Sequence, residues 1–199
     1  PCIIDRQRPR HRPQGVVEGV RIIAGDNRGL TLASVGKGDP GAQLRPTSDR
    51  VRESLFNVLR SHGVPDSDTR VLDLFAGTGN LSYELASRGC PDVTAVDNFR
   101  ECTRFIIKTS ELLQFPIRAI TEDALRFVQK NPARWDLILA DPPYDFEGHQ
   151  AIVESALTRL SEDGILVLEH GSDTDLSSLP EFDELRRYGS VHFSFFRAQ

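Results

Sequence analysis

An α/β fold is predicted: a mostly parallel sheet covered by helices on both faces, with a small β-hairpin and one helix ahead of it. Three observations carry this. From Arg70 onward, short β-prone runs alternate with helical stretches, the rhythm of strand–helix–strand crossovers. The runs Leu137–Ala140 and Ile165–Leu168 are apolar at every position, which fits strands buried on both faces. The strand beginning at Val71 ends in a glycine-bearing turn that opens straight into a helix, the arrangement that places a ligand beyond a strand end.

The elements follow in order. Val20–Ala24 and Leu30–Ala33 flank Gly25-Asp26-Asn27-Arg28-Gly29 and predict a hairpin. Residues 36–41, Gly-Lys-Gly-Asp-Pro-Gly, predict a loop. A helix is expected from Pro46-Thr47-Ser48, with Val51, Leu55, Phe56 and Leu59 on one face, stopped at Gly63. Strands are then expected at Val71–Leu74, Val93–Asp97, Ile117–Thr121, Leu137–Asp141 and Ile165–Glu169, with helices at Asn80–Arg88, Phe99–Leu113, Asp123–Lys130 and Gly148–Leu160. Glu184–Tyr188 and Val191–Phe196 around Gly189 predict a final antiparallel pair. The organisation expected is a flexible basic tail (1–18), a hairpin-and-helix extension (19–63) and a main domain (64–199).

Composition narrows the function. With 199 residues, 39% hydrophobic and 27% charged, the chain suits one folded domain with a sizeable core. Its longest apolar runs fall far short of the roughly 20 residues a membrane helix needs, so a cytoplasmic protein with no membrane association is expected. Cys2, Cys90 and Cys102 form no CxxC pair, and His11, His62, His149, His170 and His192 show no ligand spacing, so no metal site is expected. The net charge of −5 is uneven: residues 1–60 hold 11 Lys and Arg against 6 Asp and Glu, whereas residues 61–199 hold 13 against 23. A basic leading arm of this kind suits an anionic partner, although charges that merely cover solvated faces give the same count. The absence of any methionine implies a beginning other than the translational start.

Two strand ends carry the chemistry. Asp73-Leu74-Phe75-Ala76-Gly77-Thr78-Gly79-Asn80 closes the first strand, and its glycines let the backbone turn sharply and a ligand approach it. The third glycine of the dinucleotide fingerprint is replaced by Ser82, and no Lys or Arg lies between Asp73 and Glu84 to meet a pyrophosphate. Asp73, Asp97 and Asp141 at three strand ends suit a cationic ligand, which favours S-adenosylmethionine over a nicotinamide dinucleotide. Asp97 is placed to accept from ribose hydroxyls, a geometry both ligands share. Asp123 reads either as an acceptor for an adenine amino group or as a helix cap, and the two roles can coexist.

Asp141-Pro142-Pro143-Tyr144 follows Leu137–Ala140. The prolines fix φ, so the Asp141 carboxylate and the Pro142 carbonyl converge on one spot. They are two acceptors for the two hydrogens of an exocyclic amine, and Tyr144 is placed to stack on the base. The plainer alternative is a proline-rigid loop that merely ends a strand.

With both motifs in view, the sequence resembles the class I S-adenosylmethionine-dependent methyltransferases, specifically the bacterial RsmD-type 16S ribosomal RNA guanine-N2 methyltransferases. Arg45-Pro46-Thr47-Ser48-Asp49-Arg50-Val51-Arg52-Glu53-Ser54-Leu55-Phe56-Asn57 resembles that family's signature helix start. Asp73 to Gly79 with Ala86-Ser87-Arg88-Gly89 resembles its cofactor loop and helix end, and Asp141 to Tyr144 its catalytic tetrad. The resemblance implies a Rossmann-like fold with seven strands, the last antiparallel. It implies that Asp73, Gly77 and Gly79 hold the methionine end, Asp97 the ribose, and Asp123 with Ala124 the adenine, with Phe75, Asn98 and Asp141 also among the cofactor-binding residues. Asp141, Pro142, Pro143 and Tyr144 are then catalytic. The substrate implied is 16S ribosomal RNA, free or in an assembling 30S subunit, met by Arg45, Arg50 and Arg52 and modified by a monomer. A DNA or RNA amino-methyltransferase acting on another base, a nicotinamide-dependent oxidoreductase and an inactive RNA-binding module are the alternatives.

Overall fold

In the computed structural model, residues 19–33 and 48–198 are described. A two-stranded antiparallel ribbon, β1 (Gly19–Arg21) and β2 (Thr31–Ala33), leads into α1 (Asp49–Ser61). The main sheet then builds from β3 (Arg70–Leu74), α2 (Asn80–Ser87), β4 (Asp92–Asp97), α3 (Arg100–Leu113), β5 (Ile117–Thr121), α4 (Ala124–Lys130), β6 (Trp135–Ala140), α5 (His149–Leu157), β7 (Leu160–His170), β8 (Phe182–Tyr188) and β9 (Val191–Arg197). Its seven strands lie in the order β5-β4-β3-β6-β7-β9-β8. β3 to β7 run parallel, and β9 inserts antiparallel between β7 and β8.

Alternation along each strand divides the sheet into two faces. On one face, Leu72, Leu74, Ile138, Ala140, Leu166 and Leu168 pack beneath Phe127 and Val128 of α4 and Ile152, Val153 and Ala156 of α5. On the other, Val71, Val93, Leu137, Leu139, Ile165 and Val167 lie under Leu55, Phe56 and Leu59 of α1 and Leu85 of α2. Tyr83 of α2, Ile106 of α3 and Ala95 of β4 continue that second face towards the ribbon's Ile22 and Leu32.

Local chemistry sets the boundaries. Ser48 caps α1 by accepting from the Val51 N–H (3.4 Å), and Asp123 caps α4 by accepting from the Arg126 N–H (2.8 Å). α3 ends on Gln114 in the left-handed region (φ 56°). Pro46 and Thr47, where the α1 start was expected, lie outside the described residues, as does the expected loop at 36–41.

The largest differences from the expected bounds have tertiary reasons. The ribbon strands are shorter than Val20–Ala24 and Leu30–Ala33 because the N–H groups of Ile23 and Ala24 donate to the Glu84 carboxylate of α2 (2.7 and 3.0 Å). α5 stops at Leu157 rather than Leu160, and β7 starts at Leu160, which pairs with Trp135. The polar run Ser161-Glu162-Asp163 joins the strand across a register shift, with Asp163 at φ 62° and the Ser161 hydroxyl donating to Asp136 (2.5 Å).

Candidate active site

The chain order reverses direction between β3 and β6: β4 and β5 extend the sheet to one side of β3, while β6 and β7 extend it to the other. The crevice beyond the carboxyl ends of such strands is where open α/β sheets bind ligands. Here the second face changes character. Val71 is followed on its face by Asp73, Ala95 by Asp97, Leu139 by Asp141 and Val167 by Glu169. The register pairs Asp73 with Ala95 and Leu139, and Leu139 with Val167, so these side chains share one face. Four apolar rows thus end in four carboxyl groups along a single rim.

Asp73 is 1% exposed and accepts from the Ser82 hydroxyl (2.5 Å). Burial pushes its carboxyl up to about 7, the Ser82 hydrogen bond opposes that, and Asp141 and Asp97 add to it. Asp97 accepts from the Gly77 N–H (2.7 Å) with one oxygen and from the Phe99 N–H (2.8 Å) with the other, so it fixes the loop after β3 to the start of α3. Burial raises its carboxyl despite both bonds. Asp141 is pushed well above the usual carboxylate range by burial and by the charge of Glu169.

Gly79 sits at φ 90°, and a Cβ there would come within 2.9 Å of Tyr83 and Ile106, so the turn into α2 requires glycine. Phe75 also takes a positive φ (60°), and its ring meets Phe146 edge-to-face at 5.1 Å. Phe146 in turn donates its N–H to the Pro143 carbonyl (2.9 Å), which ties the turn after β6 to the loop after β3. Pro142 is buried and Pro143 exposed, while Tyr144 is 72% exposed beside them. Asn98 is exposed, Asp123 is exposed while capping α4, and Ala124 is buried.

The structure therefore brings Asp73, Gly77, Asp97 and Asp141 to one rim. It does not treat the arginines alike. Arg45 lies outside the described residues, and Arg50 is exposed on α1. Arg52 corrects the expectation of a phosphate contact: it is 2% exposed, and its guanidinium donates to the Arg21 carbonyl (2.5 Å) and to Asp49 (2.8 Å). It holds the ribbon to α1. Ser82, noted in the sequence only as a missing glycine, emerges as the partner of Asp73, and Phe146 drew no attention there; neither has a motif that marks it. Among the described residues, no three or more His, Cys, Asp or Glu are grouped to hold a metal ion, and no helix is long and apolar enough to cross a membrane.

A parallel sheet with an antiparallel β9, a glycine turn after β3 and an Asp-Pro-Pro-Tyr turn after β6 define an S-adenosylmethionine-dependent methyltransferase of class I. The family model described as "Conserved hypothetical protein 95" matches residues 20–197, and the chain belongs to that RsmD-type family. It is similar to the ribosomal RNA small subunit methyltransferase D of Escherichia coli (strain K12), 32% identical over 164 residues, covering 82% of this chain and 76% of that one. Among solved structures it is similar to the Escherichia coli protein yhhF, with TM-score 0.77 and 27% identity over 90% of this chain and 98% of that one. It is also similar to a Thermus thermophilus 16S rRNA guanine-N2 methyltransferase in complex with AdoMet and guanosine, with TM-score 0.67 and 26% identity over 91% of this chain and 50% of that one.

Proposed function

We propose that the chain methylates the exocyclic N2 of a guanine in 16S ribosomal RNA, free or in an assembling 30S subunit, as a cytoplasmic monomer. The observation that carries this is the Asp141–Pro142 turn, held one strand away from Asp73 on a rim of carboxyl groups. The match to a methyltransferase D at 32% identity supports the choice of substrate.

The rim fits S-adenosylmethionine, whose ammonium and sulfonium are cations. Asp73 with Gly77, Gly79 and Phe75 holds the methionine end, while Asp97 and Asn98 face the ribose. Both Asp97 oxygens keep lone pairs beyond the bonds from Gly77 and Phe99, which leaves acceptors for two hydroxyls. Asp123 caps α4 through one oxygen and offers the other, with Ala124, to the adenine edge. When bound, the cofactor supplies a methyl carbon activated by positive sulfur.

Asp141 and the Pro142 carbonyl accept the two hydrogens of the base amine and turn its lone pair towards that carbon. Pro143 keeps the turn rigid, and Tyr144 stacks on the base. Such positioning supplies up to about 7–11 kcal/mol of the barrier, and the Asp141 carboxylate stabilises charge that develops on nitrogen. Arg50, Arg45 and the arginines of the leading tail contact phosphates.

Methyl-labelled cofactor, 30S particles or 16S RNA lacking the modification, and mass spectrometry of the nucleosides test the reading. N2-methylguanosine is the expected product; label in DNA instead moves the assignment to a DNA amino-methyltransferase. Asp141→Ala is expected to lower single-turnover transfer by at least about a thousandfold, with S-adenosylhomocysteine affinity within about tenfold by calorimetry. Surviving turnover removes Asp141 from the chemistry.

A further inference from the structure

The fourth carboxyl group of the rim, Glu169, has no place in the chemistry above. It stands at the carboxyl end of β7, next to β6, and the pairing of Ala140 with Leu168, the last of the β6–β7 register, brings Asp141, the residue directly after β6, to the position opposite Glu169. Paired residues of this kind point to the same side, about 4.8 Å apart at the backbone. Both line one small cavity, whose remaining walls include Leu55, Leu81, Val167 and Phe193. Glu169 is half-buried, close enough for its charge to act on Asp141. Asp73 flanks Asp141 on the opposite side, towards the cofactor loop. Glu169 thus occupies the flank of Asp141 opposite Asp73 and the loop after β3.

Two adjacent acceptors ask for two adjacent donors. Guanine is the base whose Watson–Crick edge places a ring N–H beside its exocyclic amine, since N1 carries a hydrogen and N2 carries two. Adenine N1 and cytosine N3, the ring atoms beside their amines, are lone-pair acceptors, and a carboxylate repels them. Glutamate is one methylene longer than aspartate, which lets the outer carboxylate lean back to the atom next to the amine. The apolar cavity walls strengthen a hydrogen bond made there and raise the cost of leaving it unmade.

Resting on the N2-methylation reading, we propose that Glu169 accepts the N1–H of the target guanine while Asp141 and Pro142 hold its amine, and so selects guanine. Asp141 aligns the nucleophile, and Glu169 determines which base is offered. A base with an amine but no neighbouring ring N–H leaves the Glu169 carboxylate facing a lone pair, the kind of mismatch that polar sites reject strongly.

The experiment compares the wild-type chain, Glu169→Gln and Glu169→Asp on ligated RNAs. Each RNA carries guanosine or 2,6-diaminopurine riboside at the one position mapped as the wild-type product. Diaminopurine keeps the amine but replaces the N1–H with a lone pair. The wild type is expected to favour guanosine by at least about a hundredfold in single-turnover transfer. Glu169→Gln, whose amide can turn its NH2 to the diaminopurine N1, is expected to narrow that preference to under about tenfold. Glu169→Asp is expected to retain the wild-type sign. S-adenosylhomocysteine binding by calorimetry reports whether each variant is folded.

A Gln variant that slows both RNAs equally, or leaves the ratio unchanged, overturns the assignment of Glu169 alone. Wild-type label in adenosine, or in no nucleoside, overturns the function proposed above and this assignment with it.

Discussion

The two faces of the central sheet use the same alternation to opposite ends. Beneath α4 and α5 the rows Leu72–Leu74, Ile138–Ala140 and Leu166–Leu168 stay apolar to the last residue of each pair. Beneath α1, α2 and α3 the neighbouring rows begin alike, with Val71, Leu137–Leu139 and Ile165–Val167, and then turn to Asp73, Asp141 and Glu169. One face supplies cohesion along its whole length, while the other gives up its last layer to carboxyl groups, and burial opposes the ionisation of Asp73 and Asp141. Stability and chemistry are therefore separable by face.

The largest effect is expected on the apolar face. Leu166→Ala removes a fully buried side chain from the middle of β7 and is expected to cost about 2–5 kcal/mol in urea unfolding. The protein that stays folded is expected to bind S-adenosylhomocysteine normally; altered affinity there breaks the separation. On the other face, Asp73→Asn is expected to weaken cofactor binding by about thirtyfold or more without loss of stability at pH 8.

The pH dependence of Asp73 sharpens the point. Its carboxyl is raised from 3.8 to about 7, so between those values the folded chain holds a proton that the unfolded chain has released. This contribution to stability is fully present below 3.8 and is lost as pH rises towards 7. Affinity for a cationic cofactor moves the other way and increases across the same window. Asp73→Asn removes both slopes; thermal unfolding and calorimetry from pH 5 to 8 measure them, and a slope that persists in the variant assigns it elsewhere.

A smaller effect is expected where the second face meets the ribbon. Glu84 is fully buried, accepts from Ile23 and Ala24, and pairs with Arg88 (2.7 Å). Glu84→Gln is expected to cost about 1–3 kcal/mol, with faster hydrogen exchange at Ile23 and Ala24 as its signature. The smallest change separates two neighbouring arginines. Arg50→Ala is expected to shift stability by less than about 0.5 kcal/mol while reducing the salt slope of RNA binding by about 1. Arg52→Ala is expected to destabilise the fold and leave that slope alone in the folded fraction. Filter binding across salt concentrations, paired with urea melts, distinguishes the two.

What the sequence made legible follows from range. The strand ends stand out because Asp73, Asp97 and Asp141 interrupt apolar runs, with Gly77 four residues after the first and Pro142 directly after the last, a local pattern whose physical meaning does not depend on the rest of the chain. Asp123 was readable as a cap because its bond to Arg126 spans only three residues. Arg52 was misread because an Arg beside Asp49 on a helix looks like a solvated pair, while the partner that ties it to the ribbon is a carbonyl 31 positions away. The bounds of α5 and β7 were missed because Leu157 and Leu160 keep helical spacing, while the pairing of Leu160 with Trp135 comes from a distant strand. Glu169 fell between these cases. It ends a strand as visibly as Asp141 does, but its meaning depends on which strand lies next to it.

Gly25 turns one missing side chain into a constraint on the whole leading ribbon. It sits at φ 81°, and a Cβ there would come within 1.7 Å of the Ser87 carbonyl oxygen, which also accepts from the Asp26 N–H. The ribbon and α2 are consequently keyed together like a lock with a single cut. Any lineage that fills position 25 must reshape the end of α2 in the same step, and α2 opens at the glycine turn after β3.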